Sequence, residues 1–301
     1  MIINTTSPEQ KRKQLAEGIR SGTLLQFPGA YNPLVALLIE QKGFDGVYVS
    51  GAVMANSLGL PDIGMTTLTE VTGAASSIAR VTALPVIMDI DTGFGEPMMV
   101  ARTIKELIYL GISGCHIEDQ INPKRCGHLD NKELVSVQDM VKKIKAAAEA
   151  KTDPDFLLIA RTDANSSEGL DKAIDRAKAY IDAGADMIFP EALQDEKEFE
   201  AFRKAIPAPL LANMTEFGKS KLLTKQQLEN IGYNLVIYPV TTQRWAMKAV
   251  EDGLDSLRTT GTQTNTLEQM QTRTRLYEVL NYESYNQYDQ SLYNFKLEND
   301  Q

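Results

Sequence analysis

Eight short apolar segments alternate along the chain with longer stretches whose apolar residues recur at helical spacing. Nearly continuous apolar strands separated by helices are typical of a parallel sheet covered on its faces. Eight such units predict a closed (β/α)8 barrel of the TIM type. An open, Rossmann-like sheet is the alternative, but no G-x-G-x-x-G motif follows the first strand. We place the strands at Thr23–Phe27, Gly46–Ser50, Pro85–Asp89, Gly114–Glu118, Phe156–Arg161, Asp186–Pro190, Pro209–Asn213 and Leu235–Pro239.

The end of the chain has a different composition. From about Thr264 it is rich in Gln, Asn and Tyr, and it reads as one or two helices outside the barrel. We therefore predict a catalytic barrel domain over residues 1–263 and a helical extension over residues 264–301. The extension has no place in a minimal barrel, so we expect it to pack on a neighbouring subunit. Helices within the barrel are predicted at Met98–Leu110, Val137–Ala150, Leu170–Ala183 and Asp195–Ala205.

Composition excludes several classes of function. The net charge of −9 disfavours a nucleic-acid partner, because neutralising phosphates requires clustered Lys and Arg. The first residues lack the apolar core of a signal peptide, and no apolar run reaches the ~18 residues of a membrane span. Only two cysteines occur, which offers no disulfide framework. We expect a cytoplasmic protein that acts on a small molecule.

Polar side chains end six of the eight strands. Residues i and i+2 of a strand point the same way, and barrel enzymes build their sites at the carboxyl ends of the strands. One polar end could simply cap a helix or lie in a solvated loop, but six together indicate a site. The ends are Tyr48 with Ser50, Asp89 with Asp91, His116 with Glu118, Arg161 with Asp163, Phe189 with Glu191, and Asn213.

Two of these ends suggest a metal site. Asp89 and Asp91 stand at strand spacing before a Gly-rich turn, and Glu118 ends the next strand. Oxygen-only, acidic ligands suit Mg²⁺ or Mn²⁺ and suit zinc poorly. The three carboxylates would repel one another unless a cation lay among them.

Cys126 lies in a strongly cationic segment after the fourth strand. Lys124, Arg125 and His128 flank it, and positive neighbours lower the pKa of a thiol and make it reactive. Cys115, in contrast, should point away from the site and into the layer of packed helices. Cys126 is therefore the candidate catalytic cysteine.

Positive charge for an anionic substrate could come from Arg161 and from Arg244, which follows the eighth strand. A surface ion pair is the other interpretation of Arg244. Asn213 and Thr215 add neutral donors. His116 could be either a ligand or a group that supports the ligands. No lysine ends the sixth strand, which disfavours Schiff-base chemistry.

The motifs resemble those of the isocitrate lyase and phosphoenolpyruvate mutase superfamily over nearly the whole chain. The K-R-C-G-H sequence is the most specific of them, whereas A-R-T-D-A is common to the superfamily. They appear in the same order, as YVSGA (48–52), MDIDTGFG (88–95), HIEDQINPKRCGH (116–128), ARTDA (160–164), FPEA (189–192) and ANMTEFG (212–218).

The resemblance implies roles for particular residues. Asp89 and Asp91 would hold Mg²⁺ (or Mn²⁺), with Asp62 and Glu118 reaching the metal through water. Cys126 would be the catalytic acid and Arg161 a catalytic cation, while the base is either Tyr48 or a metal-linked carboxylate. Substrate would bind at Ser50, Gly51, Ala52, Cys126, Gly127, Arg161, Glu191, Asn213, Met214, Thr215, Arg244 and Arg273, supported by His116, His128 and Phe189.

The sequence departs from the family pattern in two places. Ala52 stands where many members have a second glycine, which matters little if backbone groups make that contact. Thr242 and Gln243 replace apolar residues that are common before the matching arginine, here Arg244. These two residues leave the wall of the pocket less well defined.

The activity that the resemblance implies is Mg²⁺-assisted retro-aldol cleavage of a 2-hydroxy tricarboxylate, 2-methylisocitrate, to pyruvate and succinate, as in the 2-methylcitrate cycle of propionate catabolism. Cleavage of isocitrate, 2,3-dimethylmalate or oxaloacetate, or chemistry on phosphonates, is the enzymatic alternative. A barrel that binds acids without turnover is the non-enzymatic one. The family resemblance also implies a homotetramer that exchanges its C-terminal helices.

Overall fold

A computed structural model describes residues 6–125, 127 and 132–295 of the chain. Eight parallel strands alternate with helices in this structure. The strands are β1 (Leu25–Pro28), β2 (Val47–Val49), β3 (Val86–Asp89), β4 (Gly114–Glu118), β5 (Leu157–Thr162), β6 (Met187–Pro190), β7 (Leu211–Asn213) and β8 (Leu235–Tyr238). Each predicted strand is present, and its ends differ from the prediction by at most two residues.

The strands form two sheets that close on each other. One sheet has the order β1-β8-β7 and the other the order β2-β3-β4-β5-β6. A single bridge, Gly29 with Tyr48, joins β1 to β2, and another, Ile188 with Leu210, joins β6 to β7. We call these two joints the seams. With both seams made, the predicted eight-stranded barrel is confirmed.

Helices surround the barrel in the expected alternation. They are α1 (Pro8–Arg20), α2 (Pro33–Gln41), α3 (Gly51–Ser57), α4 (Leu68–Val81), α5 (Pro97–Tyr109), α6 (Val137–Ala150), α7 (Leu170–Asp182), α8 (Glu196–Ala205), α9 (Lys225–Ile231), α10 (Thr241–Thr260), α11 (Arg273–Val279) and α12 (Tyr282–Tyr293). Short 3₁₀ helices occupy Ala164–Ser166 and Thr264–Gln269. None of the helices in the described part of the chain is long and apolar enough to cross a membrane.

Local sequence determines where several helices begin. Ser7 and Gln10 form a reciprocal capping box at the start of α1, and Thr67 with Glu70 does the same for α4. Each box satisfies backbone N–H groups that the first turn of a helix leaves without partners. Pro8, at the first position of α1, has the fixed φ that a helix start requires.

The core has an inner and an outer layer. Inward-facing side chains such as Ile159 and Phe189 fill the barrel, and Leu15 and Ile19 of α1 join them at its amino-terminal end. Outward-facing side chains pack under the helices, and Cys115 is among them. The predicted orientation of Cys115 is therefore confirmed.

The helix that follows β8 is unusual, because α10 has no buried residue. Trp245 is 72% exposed, and Met247, Val250 and Leu254 on the same helix are also exposed. The exposed apolar surface therefore begins before the predicted extension at Thr264, within the last helix of the barrel repeat.

Candidate active site

A small cavity lies at the carboxyl ends of the strands, where the sequence predicted the site. Its walls come from strands of both sheets and from the loops that follow them. Side chains predicted for the site predominate in its lining, which consists of Tyr48, Ser50, Ala52, Asp62, Asp89, Lys124, Gly127, Arg161, Phe189, Glu191, Asn213, Thr215, Pro239 and Val240.

Three rings form the floor of the cavity. The Tyr48 hydroxyl lies 2.7 Å from Nε2 of His116, and their rings are stacked with centroids 5.8 Å apart. The edge of the His116 ring meets Phe189 at a centroid distance of 5.2 Å. Burial lowers the pKa of His116 to about 4, so its imidazole is neutral at pH 7. A neutral imidazole has one donor and one acceptor, and Nε2 can therefore accept a hydrogen bond from the Tyr48 hydroxyl.

Arg161 is the cationic centre of the site. Its Nη1 is 3.2 Å from Oε2 of Glu118, and its Nη2 is 3.3 Å from Oε2 of Glu191. Nε and Nη2 bind Asp163 in a bidentate pair at 2.9 and 3.0 Å. Burial would lower the pKa of the guanidinium, but Asp163 and the two glutamates outweigh it and raise that pKa. The planar face of Arg161 also lies over Phe189, 5.2 Å from the ring centroid.

Glu191 joins the two halves of the site across a seam. It follows β6 in one sheet, and Nδ2 of Asn213 at the end of β7 donates to its carboxylate at 3.3 Å. Thr215 lies two residues beyond Asn213 and lines the same cavity. The site thus depends on both sheets.

The acidic cluster reaches the cavity through Asp89 and Asp62. Oδ2 of Asp89 accepts the Gly51 N–H at 3.3 Å, and a Cβ at position 51 would lie only 2.9 Å from that oxygen and 3.0 Å from Oδ1 of Asp91. Glycine is therefore required here, because the backbone approaches both carboxylates closely. Lys124 lies between Asp91, at 2.8 Å, and Asp62, to which it also donates.

The charges of this cluster are strongly perturbed. Burial, together with neighbouring Asp89, raises the pKa of Asp91 to about 6 against the opposing effect of Lys124. Burial also raises the pKa of Glu118 well above its usual value, although Arg161 opposes it. A divalent cation would relieve both effects, because it stabilises the ionised carboxylates.

The unsatisfied atoms of the cluster fit a hydrated cation. Oε1 of Glu118 is buried without a hydrogen-bond partner in the described residues, while Oε2 of Glu118 faces Arg161 at 3.2 Å and Oδ1 of Asp91 faces Lys124 at 2.8 Å. The ammonium of Lys124 already provides a positive charge between Asp91 and Asp62. Among the residues that the structure describes, no three potential ligands converge as a metal cluster. Mg²⁺ commonly takes one or two carboxylates and retains several waters, so Asp89 and Asp91 are the residues here that could hold it.

Some predicted residues are not brought to the cavity within one chain. Arg244 is exposed on α10, where it donates to the Glu216 carbonyl at 2.7 Å and lies over the Phe217 ring. Arg273 is exposed at the first position of α11. The Met214 side chain lies in the outer apolar layer. Cys126 and His128 lie outside the described residues.

Two buried lysines were not identified as site residues from the sequence. The sequence indicates Lys124 only as a cationic neighbour of Cys126 and assigns no role to Lys132. The side chains of Lys132 and Asp163 are both buried, and the Lys132 ammonium lies 2.8 Å from the Asp163 carboxylate. Lysines in a polar loop usually lie in solvent. The only available signal was the nearby excess of strand-ending carboxylates, which need cationic partners.

Comparison with known proteins places this site in a family. The sequence description of the family "Phosphoenolpyruvate phosphomutase" matches residues 15–258. A Corynebacterium glutamicum protein named "Probable 2-methylisocitrate lyase 2" is 55% identical over 99% of this chain and 97% of its own. A "2-methylisocitrate lyase" of Aeropyrum pernix is 49% identical over 91% of this chain and 89% of its own.

Solved structures give the same result. An oxaloacetate acetylhydrolase with 3,3-difluorooxalacetate has a TM-score of 0.90 and 35% identity, covering 97% of this chain and all of its own. A 2,3-dimethylmalate lyase, described as a PEP mutase/isocitrate lyase superfamily member, has a TM-score of 0.89 and 30% identity, covering 96% of each chain. A phosphonopyruvate hydrolase with oxalate and Mg²⁺ has a TM-score of 0.85 and 30% identity, covering 93% and 98%.

Proposed function

Because the chain belongs to the phosphoenolpyruvate mutase and isocitrate lyase superfamily, we propose that it is a carbon–carbon lyase that cleaves 2-methylisocitrate to pyruvate and succinate. The observation that carries this proposal is the 55% identity, over almost the whole of both chains, to a protein named as such a lyase. The cavity supports it, since Arg161, Asn213 and Thr215 offer donors to carboxylates beside an acidic cluster. In this family, the reaction belongs to the 2-methylcitrate cycle.

The acidic cluster is the proposed Mg²⁺ site. Asp89 and Asp91 would bind the metal directly, with Asp62 and Glu118 reaching it through water. The Mg²⁺ in the related phosphonopyruvate hydrolase structure supports this choice, and Mn²⁺ would fit the same oxygen ligands. When bound, the ion supplies Lewis acidity to the substrate hydroxyl and its neighbouring carboxylate.

The residues that bind substrate are proposed from both sides of the cavity. Arg161 would bind one carboxylate, with Asn213, Thr215 and Glu191 fixing its orientation. The Ser50 hydroxyl makes no capping bond to α3 and is available to the substrate, beside Gly51 and Ala52. Gly127 and Met214 would contribute through their backbones, and Arg244 and Arg273 remain proposed carboxylate ligands.

Proton transfer requires a base and an acid. Tyr48 is the base that this geometry favours, because its hydroxyl is in contact with both the cavity and His116. Removal of the substrate hydroxyl proton leaves an oxygen electron pair that forms the carbonyl of pyruvate. The adjacent C–C bond breaks in the same step, and its electron pair stays on the succinate portion. Cys126 would protonate that carbon, and its neighbour Gly127 lies against Arg161. Arg161 would stabilise the dianionic intermediate.

The assay that tests the proposal is pyruvate formation from purified protein and a panel of acids. Release of pyruvate from 2-methylisocitrate is the expected result. Cleavage of 2,3-dimethylmalate or oxaloacetate instead would assign the chain to another lyase of the superfamily. No turnover of any acid, with tight binding of one, would identify an inactive binding barrel.

The exposed helix α10 supports an oligomer, and we propose that this oligomer is cytoplasmic. An apolar groove lies between α2, the end of β8 and α10, and its walls include Val35, Leu38, Phe44, Leu222 and Trp245. A contiguous exposed apolar surface usually marks an interface with another protein chain. We propose that a second copy covers it and that the assembly is a tetramer with exchanged C-terminal helices.

A further inference from the structure

Lys132 follows the predicted catalytic loop and has a buried ammonium group. Its side chain is 1% exposed, and its Nζ donates to the Gly127 carbonyl and, at 2.8 Å, to Oδ1 of Asp163. Burying an ammonium is costly unless it is paired and hydrogen-bonded. Both partners of Lys132 belong to the immediate surroundings of Arg161.

Gly127 lies directly against the substrate-binding groups. A Cβ at this position would lie 2.3 Å from Nη2 of Arg161 and 2.5 Å from Cγ of Glu191. The backbone of residue 127 therefore forms part of the surface on which the guanidinium rests. A shift of this backbone would move or release Arg161.

Asp163 is the second hydrogen-bond partner of Lys132. It binds Arg161 through two hydrogen bonds, and its Oδ1 is shared with Lys132. The Asp163 N–H donates to Asp119 at 2.9 Å, and Asp119 also accepts from the Tyr180 hydroxyl at 2.8 Å. The carboxylate that orients Arg161 is thus held by a buried network that includes Lys132.

We propose that Lys132 is a positioning residue, which holds the Gly127 backbone against Arg161 and balances the charge of Asp163. Without Lys132, the Gly127 carbonyl loses its donor, and the Asp163 carboxylate is left paired with Arg161 alone. The guanidinium then shifts relative to the carboxylate it binds. The inference rests on the proposed lyase function for its kinetic test, but not for its structural test.

The kinetic test compares Lys132→Met with Lys11→Met. Lys11 is also buried and donates to a backbone carbonyl, that of Ala79 at 2.8 Å, but it lies on α1 at the amino-terminal end of the barrel. Because a small misplacement of a binding group is costly, Lys132→Met should lower kcat by about 10–100-fold, and KM should rise as well because Arg161 also binds a substrate carboxylate. Lys132→Arg, which can donate to both partners, should recover most of this loss. Lys11→Met should leave kcat unchanged.

The structural test is hydrogen–deuterium exchange without substrate. The peptide that contains Gly127 should exchange faster in Lys132→Met, while Lys11→Met should leave that peptide unchanged. If Lys132→Met does not fold, Lys132→Gln, which keeps hydrogen bonding without charge, serves for both measurements. Unchanged exchange, or equal kcat losses in the Lys132 and Lys11 variants, would overturn the proposal. Faster exchange in an enzyme without lyase activity would reject the proposed function and retain the role of Lys132.

Discussion

The Tyr48 hydroxyl and Nε2 of His116 lie 2.7 Å apart at the base of the cavity, and Nδ1 of the same imidazole faces Asp89 at 3.6 Å. The three side chains come from the middle of β2, the middle of β4 and the end of β3. Burial and the Asp89 charge raise the pKa of Tyr48 well above its usual value. At pH 7 Tyr48 is thus protonated, with its hydroxyl placed to donate a hydrogen bond to the neutral His116, and it can act as the base only after losing this proton.

Replacing Tyr48 with Phe should therefore reduce turnover by roughly 10²–10⁴, the usual effect of losing a positioned acid or base. Steady-state pyruvate release measures the effect. Tyr233→Phe is the matched control, because Tyr233 is also buried and its hydroxyl donates to the Phe199 carbonyl, under the helices. A loss of less than fivefold would favour a metal-linked carboxylate as the base.

Replacing Cys126 with Ser should leave substrate binding intact and reduce turnover by roughly 10²–10⁴, because a hydroxyl is a poorer proton donor than a thiol. Calorimetric titration with substrate would separate binding from turnover. Cys115→Ala should retain activity, since Cys115 is buried under the helices. Nearly full turnover by Cys126→Ser would remove this residue from its proposed role.

Mg²⁺ should stabilise the folded protein as well as activate it. Binding only to the native state at 100 times the dissociation constant adds about 2.7 kcal/mol to the free energy of unfolding. Thermal melting with Mg²⁺ and with excess chelator measures this shift. It should disappear in Asp89→Asn and persist in Asp139→Asn, a change at an exposed position on α6. Full activity in excess chelator would contradict the metal assignment.

The assembly should have about four times the 33.3 kDa mass of the chain. Sedimentation at micromolar concentration tests this. Trp245→Asp should dissociate it, because a carboxylate cannot be buried without a partner. Tyr109 is 84% exposed on α5, and Tyr109→Asp should leave the mass unchanged. A mass near that of one chain for the unaltered protein would exclude the proposed tetramer.

2-Methylisocitrate should be cleaved in preference to isocitrate, which lacks one methyl group. Phe189 and Pro239 line the cavity and offer apolar contact to this methyl group, while Ile237 is buried in the barrel interior. One methylene in an apolar pocket is worth about 1–3 kcal/mol, or roughly 10–200-fold in kcat/KM. Comparing kcat/KM for the two acids decides the matter. Equal kcat/KM values, or a preference for isocitrate, would mean that 2-methylisocitrate is not the preferred substrate.

The fold could be predicted because each strand carries its own signal. Alternation within Gly114–Glu118 placed Cys115 under the helices and His116 in the barrel, and the structure agrees. Strand ends were harder to predict, since β-branched Thr23 and apolar Pro209 lie just before the true strands, which begin at Leu25 and Leu211. These differences do not alter which way the side chains point.

The enclosed cations could not be predicted, because their burial depends on partners from distant parts of the chain. Lys124 meets Asp62, which precedes it by more than sixty residues, and Lys132 meets Asp163 from the next strand. Arg244 remains a proposed carboxylate ligand, although its contacts within one chain lie elsewhere. Glu216 and Phe217, in the loop after β7, provide it with contacts outside the cavity.

The two seams make the cavity more fragile than the helices around it. Each seam has a single bridge, and one of them is spanned in the cavity by the contact between Glu191 and Asn213. On warming, a parting of the walls at this joint would separate Asn213 and Thr215 from Arg161 and from the strands that hold the proposed metal ligands. Heat should therefore inactivate the protein before circular dichroism registers any loss of helix.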